Sequence, residues 1–76
     1  MQPYVYEGRA VLAMQWLGQT IEGVAIETRR WGIIGKVETS TGTQWISEGD
    51  WLVDEGGSRS IVSPALFAEA VPAPGD

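Results

Sequence analysis

Four carboxylates in the second half of the chain form the densest group of side chains that could do chemistry. They are Glu48, Asp50, Asp54 and Glu55. Carboxylate oxygens bind hard cations, but a calcium loop of the EF-hand type needs acidic or amide side chains at alternate positions and a distal Glu, which this stretch lacks. We therefore predict solvated turn residues and no metal site. The same cluster also suits a negatively charged patch that binds a basic groove on a protein partner.

The four tryptophans are the second group of interest. Trp31 stands beside Arg29 and Arg30, and Trp and Arg dominate the binding energy of many interfaces. Trp31 is thus interpreted either as an exposed contact residue or as a residue at a helix end that covers a sheet. The other three lie in strand patterns and are predicted to pack in the core: Trp16, Trp45 and Trp51. The candidate partner-binding residues are Arg29, Trp31, Glu48, Asp50, Asp54 and Glu55.

Catalysis has little support in the composition. The chain contains no His and no Cys, so the usual proton shuttle at neutral pH and the usual soft metal ligands are missing. Glu48 and Asp50 flank a turn, but a small domain offers little room for a deep pocket that would shift their pKa values. We predict that the protein is not an enzyme and uses no cofactor.

Length and charge limit the class of protein further. A chain of 76 residues forms one domain at most, here predicted over residues 1–71, with a flexible tail at 72–76. The formal charge of -5 disfavours attraction to phosphate backbones, so no direct binding of nucleic acid is expected. No apolar run approaches the roughly 18 residues of a membrane span, and the N-terminus lacks the features of a secretory signal. The expected location is the cytoplasm.

The first half of the chain contains one clear strand and one ambiguous segment. Residues 9–17 are apolar on both parities, which is typical of a central strand buried on both faces. Residues 20–31 fit a short helix with Thr20 as its N-cap. Gly23 weakens that helix, and the β-branched residues of the segment fit a strand equally well.

The sequence of the second half predicts β-hairpins. Residues 33–38 and 43–47 are predicted to pair, a turn at 47–50 leads into a strand at 51–53, and the loop at 54–57 leads to a strand at 59–62. Three or four short strands are thus predicted to form an antiparallel meander. Pro64 suits the start of a brief helix over 65–68 capped by Ser63, and Val71 ends a last strand. The sequence therefore predicts an α+β fold, with a small antiparallel sheet of about four or five short strands and one or two short helices.

Two of these stretches resemble a family of small bacteriophage proteins of unknown function. Members of that family share a strand ending in Gln-Trp and a later Pro-Gly-Asp followed by Trp or Tyr. Here the stretches are Ala13–Gly18 and Glu48–Val53, with Glu48 in place of the usual Pro. The resemblance implies a phage origin and an α+β shape, and it carries no catalytic residue. Physically, Gly49 supplies the backbone geometry of the turn, Asp50 its hydrogen bonds and Trp51 a buried anchor.

The functional expectation is a small acidic phage accessory protein that binds a protein partner in the host cytoplasm. Inhibition of a host defence or a host enzyme is the favoured form, since a negative surface can imitate nucleic acid and occlude a basic channel. The alternative is a virion component that binds capsid or neck subunits. A third interpretation is a homo-oligomer formed by pairing of exposed strand edges.

Overall fold

The computed structural model describes residues 1–74, which form eight β-strands and one short helix. In chain order these are β1 (Gln2–Tyr6), β2 (Arg9–Gln15), β3 (Val24–Arg29), β4 (Gly32–Thr39), β5 (Gly42–Ser47), β6 (Trp51–Glu55), β7 (Ser58–Val62), α1 (Pro64–Phe67) and β8 (Val71–Pro72). The strands form a five-stranded sheet in the order β7-β6-β2-β1-β8 and a three-stranded sheet in the order β3-β4-β5. All pairings are antiparallel. The predicted α+β class is wrong, because the described residues are nearly all β.

The main source of that error is the segment that becomes β3. The β-branched residues Val24, Ile26 and Thr28 alternate along this segment, and the segment pairs with β4 along its full length. Branching at Cβ disfavours a helix and favours a pleated strand. Gly23, at φ +86°, begins the strand from a backbone conformation that other residues rarely adopt. The helix expected within residues 20–31 is absent, and the strand alternative is confirmed.

A further strand, β1, was not predicted at all. It forms a hairpin with β2 through a two-residue turn, Glu7-Gly8, whose φ angles are +52° and +75°. Two consecutive positive φ values are characteristic of the type I′ turn, whose twist matches that of paired strands. Pro3 hides the strand in the sequence, because proline removes a backbone donor and normally argues against a strand interior.

The two predicted hairpins of the second half are confirmed, but the predicted meander is wrong, because β5 and β6 lie in different sheets. β4 pairs with β5 and β6 with β7, in each case through a short turn. Gly49 has φ +98° in the turn before β6, as expected for the third position of a type II turn. Helix α1 begins at Pro64, and the Ser63 hydroxyl caps it by accepting a hydrogen bond from the Leu66 N–H at 3.4 Å.

The five-stranded sheet carries a core on each of its faces. One core lies between the two sheets and contains Trp16, Val24, Val37, Ile46 and Leu52. The other lies under α1 and contains Val11, Ala13, Val53 and Phe67. β2 is the middle strand of this sheet, as predicted. The prediction that both of its faces are buried is wrong for the first half of the strand, where Ala10 and Leu12 are exposed.

The chain remains paired beyond the predicted domain boundary at residue 71. Val71 and Pro72 form β8 and lie opposite Val5 and Tyr4 of β1. The Ala73 N–H then donates to the Pro3 carbonyl at 3.1 Å. The predicted flexible tail thus starts within strand-paired residues, and its last two residues, 75 and 76, lie outside the described part of the chain.

Candidate functional site

The outer face of the three-stranded sheet carries an exposed tryptophan and two cationic side chains. The register places Lys36 between Ala25 of β3 and Trp45 of β5, so these three residues share that face. The inner face packs on the five-stranded sheet through Val24, Val37 and Ile46. We refer to the outer surface formed by Arg29, Lys36 and Trp45 as the tryptophan face.

Trp45 lies close to two cations on this face. The Arg29 guanidinium carbon lies 5.2 Å from the centroid of the indole ring, and the Lys36 ammonium nitrogen lies 5.9 Å from it. Both distances are within the range of cation–π attraction. Trp45 is nevertheless 45% exposed. Arg29 is also oriented by Glu27, whose carboxylate lies 3.1 Å from its guanidinium.

Trp31 lies at one end of the same sheet, in the turn between β3 and β4, and is 68% exposed. The Glu48 carboxylate approaches this turn, because its Oε1 lies 3.8 Å from the point where Gly32 would carry a Cβ. The structure therefore brings three of the predicted contact residues to one region: Arg29, Trp31 and Glu48.

The other predicted contact residues are separated from these. Asp50 is half-buried in the β5–β6 turn, where its carboxylate accepts the Ser47 N–H at 3.0 Å. Asp54 and Glu55 lie at the far end of β6. Asp54 accepts the Gly57 N–H at 3.0 Å, and Glu55 lies 3.0 Å from the Arg9 guanidinium. The four carboxylates thus do not form one patch, and each of the last three has a partner within the chain.

The two motifs that resemble the phage family meet at a junction. The Trp16 N–H donates to the Asp50 carbonyl at 2.8 Å, and the Gly49 N–H donates to the Trp16 carbonyl at 2.7 Å. The Gln15 side-chain amide adds a third bond, to the Gly49 carbonyl, at 3.0 Å. Trp51 stacks on Phe67 with centroids 4.3 Å apart. The architectural interpretation of these motif residues is confirmed by these contacts.

Of the three tryptophans predicted to be in the core, Trp16 is fully buried and Trp51 packs against the second core. The prediction for Trp45 is wrong. It shares its parity on β5 with Thr43 and Ser47, whereas buried Ile46 lies on the opposite parity. That alternation was the sequence signal for an outward-facing tryptophan, and it was missed together with Lys36.

The tryptophan face presents exposed groups that can contact another molecule. Within residues 1–74, no polar or charged side chain is buried, and no group of three or more acidic side chains is arranged to hold a metal ion. The described helix is too short to cross a membrane. Aromatic, cationic and hydrogen-bonding groups are available on the tryptophan face, and the absence of catalysis, metal and cofactor stays a prediction.

Comparison of the chain with family models, curated proteins and solved structures finds no match. The resemblance to the phage family therefore stays a prediction from two motifs.

Proposed function

We propose that the protein is a non-enzymatic binding module that holds a protein partner on the tryptophan face. The observation that carries this proposal is the position of Trp45, a half-exposed indole on the outer face of the three-stranded sheet within cation–π distance of Arg29 and Lys36. A fully covered aromatic side chain buries about 150–250 Å², and the 45% of Trp45 that is exposed remains available for an interface. Trp and Arg are also the residue types most enriched among those that dominate binding.

The two cations favour binding in a second way, by fixing the ring before the partner arrives. A side chain that is already held in one orientation loses less conformational entropy on association. Arg29 is itself held by Glu27 at 3.1 Å. The tryptophan face is thus preorganised, and Trp31 at the neighbouring turn extends it.

The charges favour a protein over a nucleic acid as the partner. Glu27 and Glu38 lie on the strands that carry Arg29 and Lys36, and Glu48 lies beside the Trp31 turn. These carboxylates, together with the formal charge of -5, oppose phosphate. A protein surface with an apolar or aromatic centre and both acidic and basic neighbours fits this mixture of charges.

The biological form that we propose is a phage accessory protein that inhibits a host defence or a host enzyme. Its support is the motif resemblance and the small, acidic character of the chain. A virion component that binds capsid or neck subunits is the alternative. Mass spectrometry of purified particles distinguishes them, since the alternative requires the chain in stoichiometric amounts and the inhibitor requires its absence.

A quantitative pull-down from a lysate of the bacterial host tests the proposal. The wild-type chain is compared with the Trp31→Ala/Trp45→Ala double variant and with Leu66→Ala, which changes an exposed leucine on α1. We expect the double variant to lose a host protein that the other two recover. Recovery of the same protein by all three chains, or of none at low ionic strength, would contradict the proposal.

A further inference from the structure

Three of the four edge strands carry features that oppose pairing with another strand. The edges are β7 and β8 in one sheet and β3 and β5 in the other. β8 has two residues, one of them Pro72. β7 carries Arg59, whose carbonyl accepts the Ser40 N–H at 3.3 Å. β3 carries the charged side chains of Glu27 and Arg29. Short strands, prolines and charges are common means by which proteins protect sheet edges.

β5 has none of these features. Its six residues include no proline and no charged side chain, and all of them except Ile46 are exposed. It pairs only with β4. Thr, Trp and Ile, which make up half of the strand, favour extended structure. An uncharged, exposed edge of this kind is a template for pairing with a further strand.

The register of the β4–β5 hairpin shows which backbone groups of β5 face the open edge. A two-residue turn joins Thr39 to Gly42, and such a pair exchanges backbone hydrogen bonds. Hydrogen-bonded and non-hydrogen-bonded pairs then alternate along the two strands. Every second residue from Gly42 therefore bonds to β4. Thr43, Trp45 and Ser47 direct their N–H and C=O groups away from it.

The β5–β6 turn satisfies the last of these three residues. The Ser47 N–H donates to the Asp50 carboxylate at 3.0 Å, and the Ser47 carbonyl accepts the Asp50 N–H at 3.0 Å. Within residues 1–74, the backbone groups of Thr43 and Trp45 have no such partner. The open edge thus consists of two N–H and two C=O groups, placed symmetrically about Gln44.

We propose that a second copy of the chain pairs with β5 in antiparallel orientation, with the two-fold axis at Gln44. Thr43 of each copy then lies opposite Trp45 of the other, and every open group of the edge forms a hydrogen bond. A two-fold axis at Trp45 would instead place Thr43 opposite Ser47, whose groups are already bonded to Asp50. The turn therefore selects the register, and the two three-stranded sheets join into one sheet of six strands.

The side chains on the outer face also suit a second copy. Lys36 lies opposite Trp45, and Glu38 lies opposite Thr43. Each row across the joined sheet therefore has the Lys36 of one copy at one end and the Glu38 of the other copy at the opposite end. The two Trp45 residues become diagonal neighbours, with about 7–8 Å between their Cα atoms, which is within reach of aromatic side chains.

The distribution of charge permits this association. Residues 24–47, which form the three-stranded sheet, carry three cations and two carboxylates. The net negative charge of the chain therefore lies outside the sheet that pairs. The dimer goes beyond the proposed function and does not depend on it. In the dimer the two tryptophan faces form one surface, to which each copy contributes a Trp45.

The β3 edge of the same sheet does not suit a second copy. By the same alternation its open groups belong to Ile26 and Thr28, because the Val24 N–H donates to the Ile21 carbonyl at 3.1 Å. A two-fold pairing through these groups is centred on Glu27. It would place two carboxylates directly opposite each other, which destabilises a strand pair.

Sedimentation velocity of the full chain at increasing concentration tests the proposal. It is carried out at about 0.15 M ionic strength, which screens the repulsion between two chains of formal charge -5. We expect a dimer that forms with increasing concentration. Gln44→Glu and Gln44→Lys each place like charges opposite each other and should raise the dimer Kd at least about 10-fold.

An equimolar mixture of these two variants should recover the association, because a heterodimer places Glu opposite Lys. Gln2→Glu makes the same chemical change at an exposed residue of β1 and is the matched control, which should dimerise as the wild type does. Circular dichroism of each chain verifies that it is folded.

Amide hydrogen exchange locates the contact. The exchange of the Thr43 and Trp45 amides should slow as the chain concentration rises, whereas that of Ile26 and Thr28 should not change. Protection at β3 or on the five-stranded sheet would reject the β5 edge.

Three further results would overturn the inference. One is a chain that stays monomeric up to about 1 mM. Another is a dimer that the Gln44 variants leave unchanged, or whose association their mixture fails to recover. The third is protection of Thr43 and Trp45 only after a host protein is added, which would identify a strand of that protein as the occupant and reject the second copy.

Discussion

Trp16 and Trp45 lie on opposite sides of the three-stranded sheet, one under Gly35 and the other beside Lys36. Trp16 is fully buried, and its indole N–H donates to the Gln19 carbonyl at 2.9 Å. Trp45 is half-exposed, and its neighbours are the cations of Arg29 and Lys36. The same residue type is thus a core residue on one face and a surface residue on the other.

The difference lies in two adjacent residues of β4. Gly35 has no side chain, and the Trp16 ring comes within 3.3 Å of the point where its Cβ would be. Lys36 points to the opposite face, where its long side chain accompanies Trp45 and covers it only in part. We infer that the burial of each tryptophan is set by the β4 residue that it faces, more than by the hydrophobicity of the tryptophan itself. Trp16 faces Gly35 across the core between the sheets, and Trp45 faces Lys36 across a strand pair.

Trp16→Ala is the change with the largest expected effect on this contrast. Removing a fully buried tryptophan costs about 3–5 kcal/mol, which is comparable with the whole stability of about 4–11 kcal/mol expected for a domain of this size. We expect the variant to be largely unfolded by circular dichroism. Trp16→Phe should remain folded, with a lower urea midpoint. A loss below about 1 kcal/mol for the alanine variant would show that the junction does not depend on the indole.

Gly35→Ala should have the second-largest effect on the free energy of unfolding. An added methyl group would lie 2.7 Å from Ile46 Cγ2 and 2.7 Å from Val24 Cγ1, so the core must shift to accept it. Overpacking of this kind costs about 1–3 kcal/mol. Lys36→Ala, at the next residue on the exposed face, is the matched control and should change the free energy of unfolding by less than about 0.5 kcal/mol. Equal losses of unfolding free energy for the two variants in urea denaturation would contradict the expected difference between the buried and exposed faces of β4.

Asp50→Ala tests the turn that joins the two motifs. Its carboxylate accepts the Ser47 N–H, so its loss should lower the free energy of unfolding by about 1 kcal/mol. Glu48→Ala changes an exposed carboxylate of the same turn and should have an effect below about 0.5 kcal/mol. A larger decrease in Tm for Glu48→Ala than for Asp50→Ala would contradict this prediction.

Trp45→Ala should have the smallest effect on stability, about 0.5–1 kcal/mol from the lost cation–π contacts. Its effect on partner affinity should be large, with an increase in Kd of about 30-fold if the indole contributes about 2 kcal/mol. Calorimetric unfolding and binding measurements on the same preparation test both parts. A loss of stability like that of Trp16→Ala would assign Trp45 to the core after all.

The sequence predicted the local parts of the fold well. The hairpins of the second half follow from turn residues such as Gly42 and Gly57, and the turn between β5 and β6 follows from Gly49 and Asp50. The Ser63 cap follows from the residue types around Pro64. These features depend on a few neighbouring residues. The type I′ turn at Glu7-Gly8 was equally local, but the proline in β1 concealed it.

The parts that were missed depend on pairing between distant residues. The choice of strand for residues 24–29 follows from the pairing with β4, and the separation of Asp50 from Asp54 follows from the extended backbone of β6. The exposure of Leu12 depends on how far the three-stranded sheet extends over β2. No local pattern contains that information, because it is a property of the register between elements.

The pattern of strand pairing also affects how the chain folds. Four of the strand pairings, β1–β2, β3–β4, β4–β5 and β6–β7, join strands that follow each other directly. Two pairings, β2–β6 and the short β1–β8, join strands far apart in the chain. Hairpins close within microseconds, but a distant pairing must first pay the entropy of closing a long loop. We therefore expect the meeting of β2 with β6, secured by the bonds between Trp16 and the Gly49-Asp50 turn, to set the folding rate.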